Sequence, residues 1–217
     1  MSRAVYVGGF GNGRSSADRV ADAIAAEFGY EDVDRFTFAY AMDHSRDIRR
    51  AVQDVPVVTH SAGLMAVAGK RPSEVLAFNA PMPASKLRLI GRSVTKTLRM
   101  HRPGIGIQSS GDILSVARYD TSATAELTRH AYGNLKRLGQ IAFFNSVNAA
   151  IGATEYGINT TLVTTDGDEY FRIPTWREES ASAHGVRIAR LSGVHDELVL
   201  RPQQTLSQLN ETVSDSL

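Results

Sequence analysis

The amino-acid sequence predicts an α/β protein: a doubly wound, mostly parallel sheet carrying an inserted helical cap. Three observations lead there. Short apolar runs alternate with segments of helical periodicity at intervals of about 25 residues through the first 81 positions, the rhythm of βαβ units. That rhythm stops over residues 82–157, where helical patterns prevail without a convincing strand, and resumes afterwards. The composition, 42% hydrophobic and 22% charged in 217 residues, is that of an ordinary globular protein with a sizeable core.

In order, Ala4-Val5-Tyr6-Val7 is a short apolar strand running into a glycine-rich loop from Gly8 to Gly13. Ser15, Ser16 or a residue nearby is placed to cap the next helix, since a serine oxygen accepts from the free amides of a first turn. Its apolar positions Ala17, Val20, Ala21, Ile24, Ala25 and Phe28 share one face, and Gly29 can end it. Val33 to Tyr40, rich in aromatic and β-branched residues, reads as the second strand. Asp43 to Gln53 reads as a helix, Val55 to His60 as the third strand, and Glu74 to Pro81 as the fourth. Between them Leu64 to Ala68 is a short helix. Later helices are expected at 85–100, 122–138 and 140–151, with a turn-rich join at 102–111. Strands return at Thr160–Thr165 and Val186–Leu191, and a helix from about Arg201 to Val213 closes the chain. Residues 1–81 and 158–217 are therefore expected to form the core, and 82–157 the cap.

Composition excludes several classes. There are no cysteines, hence no disulfide framework, thiol nucleophile or thiolate metal site. A net charge of +1 names no nucleic-acid partner. No signal peptide is visible, no stretch of 18 apolar residues occurs, and a cytoplasmic protein is the expectation.

The chemistry gathers around Val55-Pro56-Val57-Val58-Thr59-His60-Ser61-Ala62-Gly63-Leu64. A buried strand stops at Ser61 and a helix starts at once. A serine held in so tight a turn is pushed above the sheet edge, with the free amides of the new helix beside it. The residues two before and two after must be small; Gly63 is, Thr59 only partly. A serine hydroxyl also needs a base, and the base a carboxylate to fix its tautomer. The strand ending at Thr165 runs into Asp166-Gly167-Asp168-Glu169, and the last strand into Leu191-Ser192-Gly193-Val194-His195-Asp196. Both follow strands, where ligands gather in such sheets.

Thr59-His60-Ser61-Ala62-Gly63 resembles the G-x-S-x-G nucleophile elbow of the α/β-hydrolase superfamily, with Thr for the first Gly, and the order Ser61, Asp168, His195 is that family's order. The resemblance implies a serine hydrolase of the esterase/lipase type. Ser61 would be the nucleophile, His195 the general base and Asp168 its orienting acid, with a carboxylic ester as substrate and thioesters or amides behind it. Thr165-Asp166-Gly167-Asp168 looks like the family's G-x-x-D placement; Asp166 is the reserve acid and Glu169 follows it. Gly8-Gly9-Phe10-Gly11 looks like its H-G-F-G loop with Gly for His, which implies an oxyanion hole from the N–H groups of Phe10 and Ala62. The family's helical cap enters after the strand that follows the elbow helix, as residues 82–157 do here.

Two other readings stay open. Gly8 to Ser15 also fits a phosphate loop, G-x-x-x-x-G-K-[ST], except that Arg14 stands for the Lys. The departures at Thr59 and Gly8 leave room for a non-catalytic relative that binds a small molecule or partner. His60 is given either a packing role beside Ser61 or one supporting the groups around it, and His44, His101, His130 and His184 lack ligand spacing, so neither metal nor cofactor is expected. Lys86, Arg88, Arg92, Lys96, Arg99 and Arg102, interleaved with Leu87, Leu89, Ile90, Val94 and Leu98, form a basic amphipathic run able to face solvent or to meet anionic lipid or an acidic substrate.

Overall fold

The computed structural model describes residues 2–10, 12–83, 137, 139–168 and 170–214. Six strands build one parallel sheet: β1 (Arg3–Val7), β2 (Asp32–Phe36), β3 (Pro56–His60), β4 (Glu74–Phe78), β5 (Asn159–Gly167) and β6 (Arg187–Val194). Their spatial order is β2-β1-β3-β4-β5-β6, with every neighbouring pair parallel. Between them run α1 (Arg14–Phe28), α2 (Phe38–Asp43), α3 (Ser45–Ala51), α4 (Gly63–Val67), α5 (Ser146–Glu155) and α6 (Thr175–Ala183); α7 (Glu197–Leu200) and α8 (Pro202–Ser214) follow β6. The direction in which successive strands are added reverses between β1 and β3, and sheets of this kind bind ligands at such a switch point, beyond the strands' carboxyl ends.

Side-chain alternation makes the layers. On β1, Ala4 and Tyr6 pack with Val20 and Ile24 of α1, while Val5 and Val7 face the other way onto Ile48 of α3 and Val67 of α4. On β4, Val75 and Ala77 join Leu64 and Val147 below the sheet, while Phe78 joins Leu206 and Leu209 of α8 on the face of α1. Strands buried on both sides have to read as continuous apolar runs, and these do. Each large side chain buried in this way stabilises the fold by roughly 1.5–3 kcal/mol.

Several elements depart from the sequence reading. Strand β2 stops at Phe36, because Thr37 accepts from the Tyr40 amide (3.4 Å) and opens α2. Capping outweighs the aromatic content there, and Phe38 turns into the core. The helix expected over 43–53 breaks at His44, whose φ/ψ of −116°/48° is not helical, leaving α2 and α3. Helix α1 starts at Arg14 with Gly13 before it and no side-chain cap, so neither Ser15 nor Ser16 is its N-cap. Gly29 does end α1, at φ 70°, with its amide bonded to Ala25. Helix α5, inside the stretch read as cap, packs through Val147 and Ala150 against Leu162 of β5. The helix expected at 85–100, that at 122–138 apart from Arg137, the basic run and its lipid contact, and Glu169 lie outside the described residues. Among the described residues no helix is long and apolar enough to cross a membrane.

Candidate active site

Ser61 follows β3 with φ 50°, a left-handed backbone that costs a serine energy and that the surrounding bonds impose. Its amide continues the sheet, donating to the Phe78 carbonyl (2.7 Å), and the chain enters α4 two residues on. The turn therefore lifts the hydroxyl out at the carboxyl end of the strands.

His195 leaves β6 and brings its imidazole to that hydroxyl. Its Nε2 is 2.9 Å from Ser61 Oγ, and its Nδ1 is 3.1 Å from Asp168 Oδ2. An ionised carboxylate only accepts, so Nδ1 carries the proton and Nε2 presents its lone pair to the Ser61 O–H. Asp168 is fixed in turn: its other oxygen accepts the amides of Tyr170 (2.7 Å) and Phe171 (2.9 Å). The rings of those two residues stand edge-on to His195, at centroid distances of 4.9 and 5.5 Å, and wall it from water. Ser61 and His195 are 7% and 5% exposed.

The structure thus brings together Ser61, Asp168 and His195, residues separated by up to 134 positions. Asp166, the reserve acid, points elsewhere, and its carboxylate accepts the Gly193 amide (3.0 Å). The Gly8–Gly13 loop lies against the elbow; a Cβ placed on Gly9 would sit 2.8 Å from Ser61 Cβ and 2.9 Å from His60 Nδ1. In that loop the Gly8 amide donates to Phe36 O (2.9 Å) and the Asn12 amide to Gly9 O (3.1 Å). A phosphate cradle needs a run of free amides, and here two are engaged. The amides of Phe10 and Ala62 bond to no described residue. Thr59, where the elbow pattern has Gly, is fully buried, and its hydroxyl has no partner among the described residues.

His60 is the buried neighbour of the pair. Its Nε2 donates to the His195 carbonyl (3.0 Å), and its Nδ1 accepts from Asn12 Nδ2 (3.1 Å). Among the described residues, the one grouping of three potential metal ligands is His60, His195 and Asp196. With both nitrogens of each imidazole engaged as above, the histidines offer no free lone pair to an ion. Burial, and after it the nearby His195, pushes the His60 imidazole from its ordinary 6.5 down to about 4. The consequence has a sign. Above pH 6.5 both folded and unfolded chains keep His60 neutral; below it the unfolded chain takes a proton that the folded one refuses. Stability is lost as pH falls from 6.5 towards 4, by about 3 kcal/mol if the full shift is realised. Urea denaturation from pH 7 to pH 4 should show this drop in the parent and a shallower one in His60→Gln. Parallel curves would show that His60 does not titrate in this way.

Sequence reasoning did not single out Asn79, Asn12, Tyr170 or Phe171. Asn79 was readable only as a polar residue at the end of an apolar run, yet it is 2% exposed with φ 47° and lies at the centre of the loop contacts. A cavity of about 380 Å³ lies away from Ser61, lined by Leu64, Val67, Lys70, Val75, Ala150 and Thr160. Val75 and Thr160 sit near the amino ends of β4 and β5, so it opens at the other end of the strands.

No protein-family model and no curated protein matches the sequence. Solved structures do match it in shape. A protein described as a candidate non-heme bromoperoxidase from Mycobacterium tuberculosis H37Rv superposes with a TM-score of 0.61 at 12% identity, over 100% of this chain and 93% of that one. A carboxylesterase structure from the ammonia-oxidizing Thaumarchaeon Nitrososphaera gargenis gives 0.56 at 13% identity, over 99% and 90%. The enol-lactonase from Burkholderia xenovorans LB400 gives 0.56 at 13% identity, over 99% and 92%. Superposition over nearly the full length of both chains, at identities this low, speaks for architecture: the chain has the α/β-hydrolase fold.

Proposed function

We propose that this protein is a serine hydrolase that cleaves a carboxylic ester, or a related thioester or amide, through an acyl-enzyme on Ser61. One observation carries the reading: a single imidazole lies 2.9 Å from a serine hydroxyl held in a strained elbow and 3.1 Å from a buried, doubly anchored carboxylate. As Ser61 Oγ attacks the carbonyl carbon, His195 Nε2 takes its proton and Asp168 stabilises the imidazolium. The tetrahedral oxyanion is received by the amides of Phe10 and Ala62, each such donor being worth roughly 3–4 kcal/mol. Collapse expels the alcohol, which leaves with the proton from His195. A water then gives its proton to the same nitrogen and releases the acid. The carboxylesterase and the lactonase among the structural neighbours carry names that fit acyl transfer to water.

The helical cap over 82–157 belongs to the same proposal, with its last part, α5, serving the core layer on β5. A fluorophosphonate probe tests the reading. Ser61 should be labelled, as read by mass spectrometry of the intact and digested chain, and Ser61→Ala should not be. Esters and thioesters of graded acyl length would then define the substrate. A folded protein that neither labels nor turns over any of them would instead favour a non-catalytic binding role.

A further inference from the structure

We propose that His60 and Asn79 are positioning residues for His195, converging on a single backbone oxygen, the His195 carbonyl. The His60 Nε2–H reaches that oxygen at 3.0 Å and the Asn79 Nδ2–H at 2.7 Å. A carbonyl has two lone pairs, and both are engaged by buried side chains, 1% and 2% exposed. This inference rests on the hydrolase reading only for what His195 does, not for how it is held.

His195 needs such a hold. It lies between the end of β6 at Val194 and the start of α7 at Glu197, in the short turn that joins them. The two donors come from elsewhere in the sheet, His60 from the last position of β3 and Asn79 from just beyond β4. Asn79 is itself tied to β5, because its Oδ1 accepts the Thr165 amide (2.9 Å) while the Thr165 hydroxyl donates to Val194 O (3.1 Å). His60 is oriented from behind by Asn12 at Nδ1. The carboxyl ends of three strands, β3, β4 and β5, thus bear on the turn that follows β6. Letting that turn drift by about 1 Å would move Nε2 off the Ser61 hydroxyl, a misplacement of the kind that costs about 10²-fold in rate. His60 is not an alternative base, since its Nε2 proton faces a carbonyl rather than the serine.

Two isosteric replacements separate the bonds. Gln at position 60 carries its amide where Nε2 stood, and Asn carries it where Nδ1 stood. His60→Gln should therefore keep most of the rate at which a fluorophosphonate labels Ser61, whereas His60→Asn should lose about 10²-fold. Asn79→Asp keeps the acceptor for Thr165 but removes the donor to His195, and should lose as much. Thermal unfolding establishes that the compared samples are folded. A second readout is the far-downfield proton signal of the His195 Nδ1–H facing Asp168. It should persist in the parent and in His60→Gln, and broaden or vanish in His60→Asn and Asn79→Asp. Equal labelling and an unchanged signal in all variants would overturn the proposal while leaving the hydrolase reading intact. If the parent itself takes no label, the hydrolase reading fails, and the proton signal alone decides the positioning: lost in His60→Asn supports it, unchanged overturns it. Should His60→Asn fail to fold, Asn79→Asp decides by the same two readouts.

Discussion

Ser61→Ala is expected to lower kcat by about 10⁴–10⁶-fold on any ester the protein turns over, and His195→Ala by nearly as much. The two should not add, because nucleophile and base act as one unit: without the base the hydroxyl keeps its proton, and without the hydroxyl the base has none to take. Asp168→Asn should cost about 10⁴-fold for a reason visible in the geometry. The Asp168 oxygen that accepts the Tyr170 and Phe171 amides, at 2.7 and 2.9 Å, can be replaced only by the amide oxygen of asparagine. The NH2 group must then face His195 Nδ1, which forces the proton to Nε2. In that tautomer the imidazole donates towards Ser61 and can no longer accept from it. Single-turnover kinetics with p-nitrophenyl esters measure all three. Retention of more than about a hundredth of the parental rate in Ser61→Ala would place the chemistry on another group.

What the sequence disclosed and what it hid divide along contact range. The alternating rhythm of βα units depends on local patterning, and it led directly to a parallel sheet with the candidate site at the strands' carboxyl ends. The boundaries that slipped, at Thr37 and His44, are places where a cap or a single non-helical residue outweighs a run of aromatic or helix-forming neighbours. Ser61, Asp168 and His195 could be nominated because each follows a strand in a fixed order, although nothing local joins them. Asn79 could not be found in that way. Its partners at Thr165 and His195 lie 86 and 116 residues away, and an asparagine at the end of an apolar run reads equally well as a turn residue. Thr59 shows the converse. The motif calls for glycine there, yet the fold buries a threonine completely, and nothing among the described residues explains its unpartnered hydroxyl.

At Gly63 the motif and the packing agree, and the second large effect is expected there. A Cβ at this position would run into the Val7 carbonyl oxygen and lie 2.9 Å from that of Gly8. Neither can step aside. Val7 is fully buried on β1, which is paired with β2 on one side and β3 on the other, and the Gly8 amide is tied to Phe36. Gly63→Ala must therefore push α4 off β1 and take Ala62 and Ser61 with it. We expect a loss of at least about 3 kcal/mol, at the upper end of overpacking costs because backbone rather than side chain obstructs the methyl. For a chain of this size that is a fall in Tm of roughly 2–4 °C per kcal/mol. Gly152→Ala supplies the contrast. It adds the same methyl within α5, where no described atom outside the neighbouring turns of the helix lies within 4 Å, and should stabilise by about 0.5–1 kcal/mol through helix propensity alone. Urea denaturation of both variants reads the difference. Because the two substitutions are chemically identical, effects of opposite sign isolate the close approach of elbow and first strand. Wild-type stability in Gly63→Ala would mean that α4 is not pressed against β1 as described.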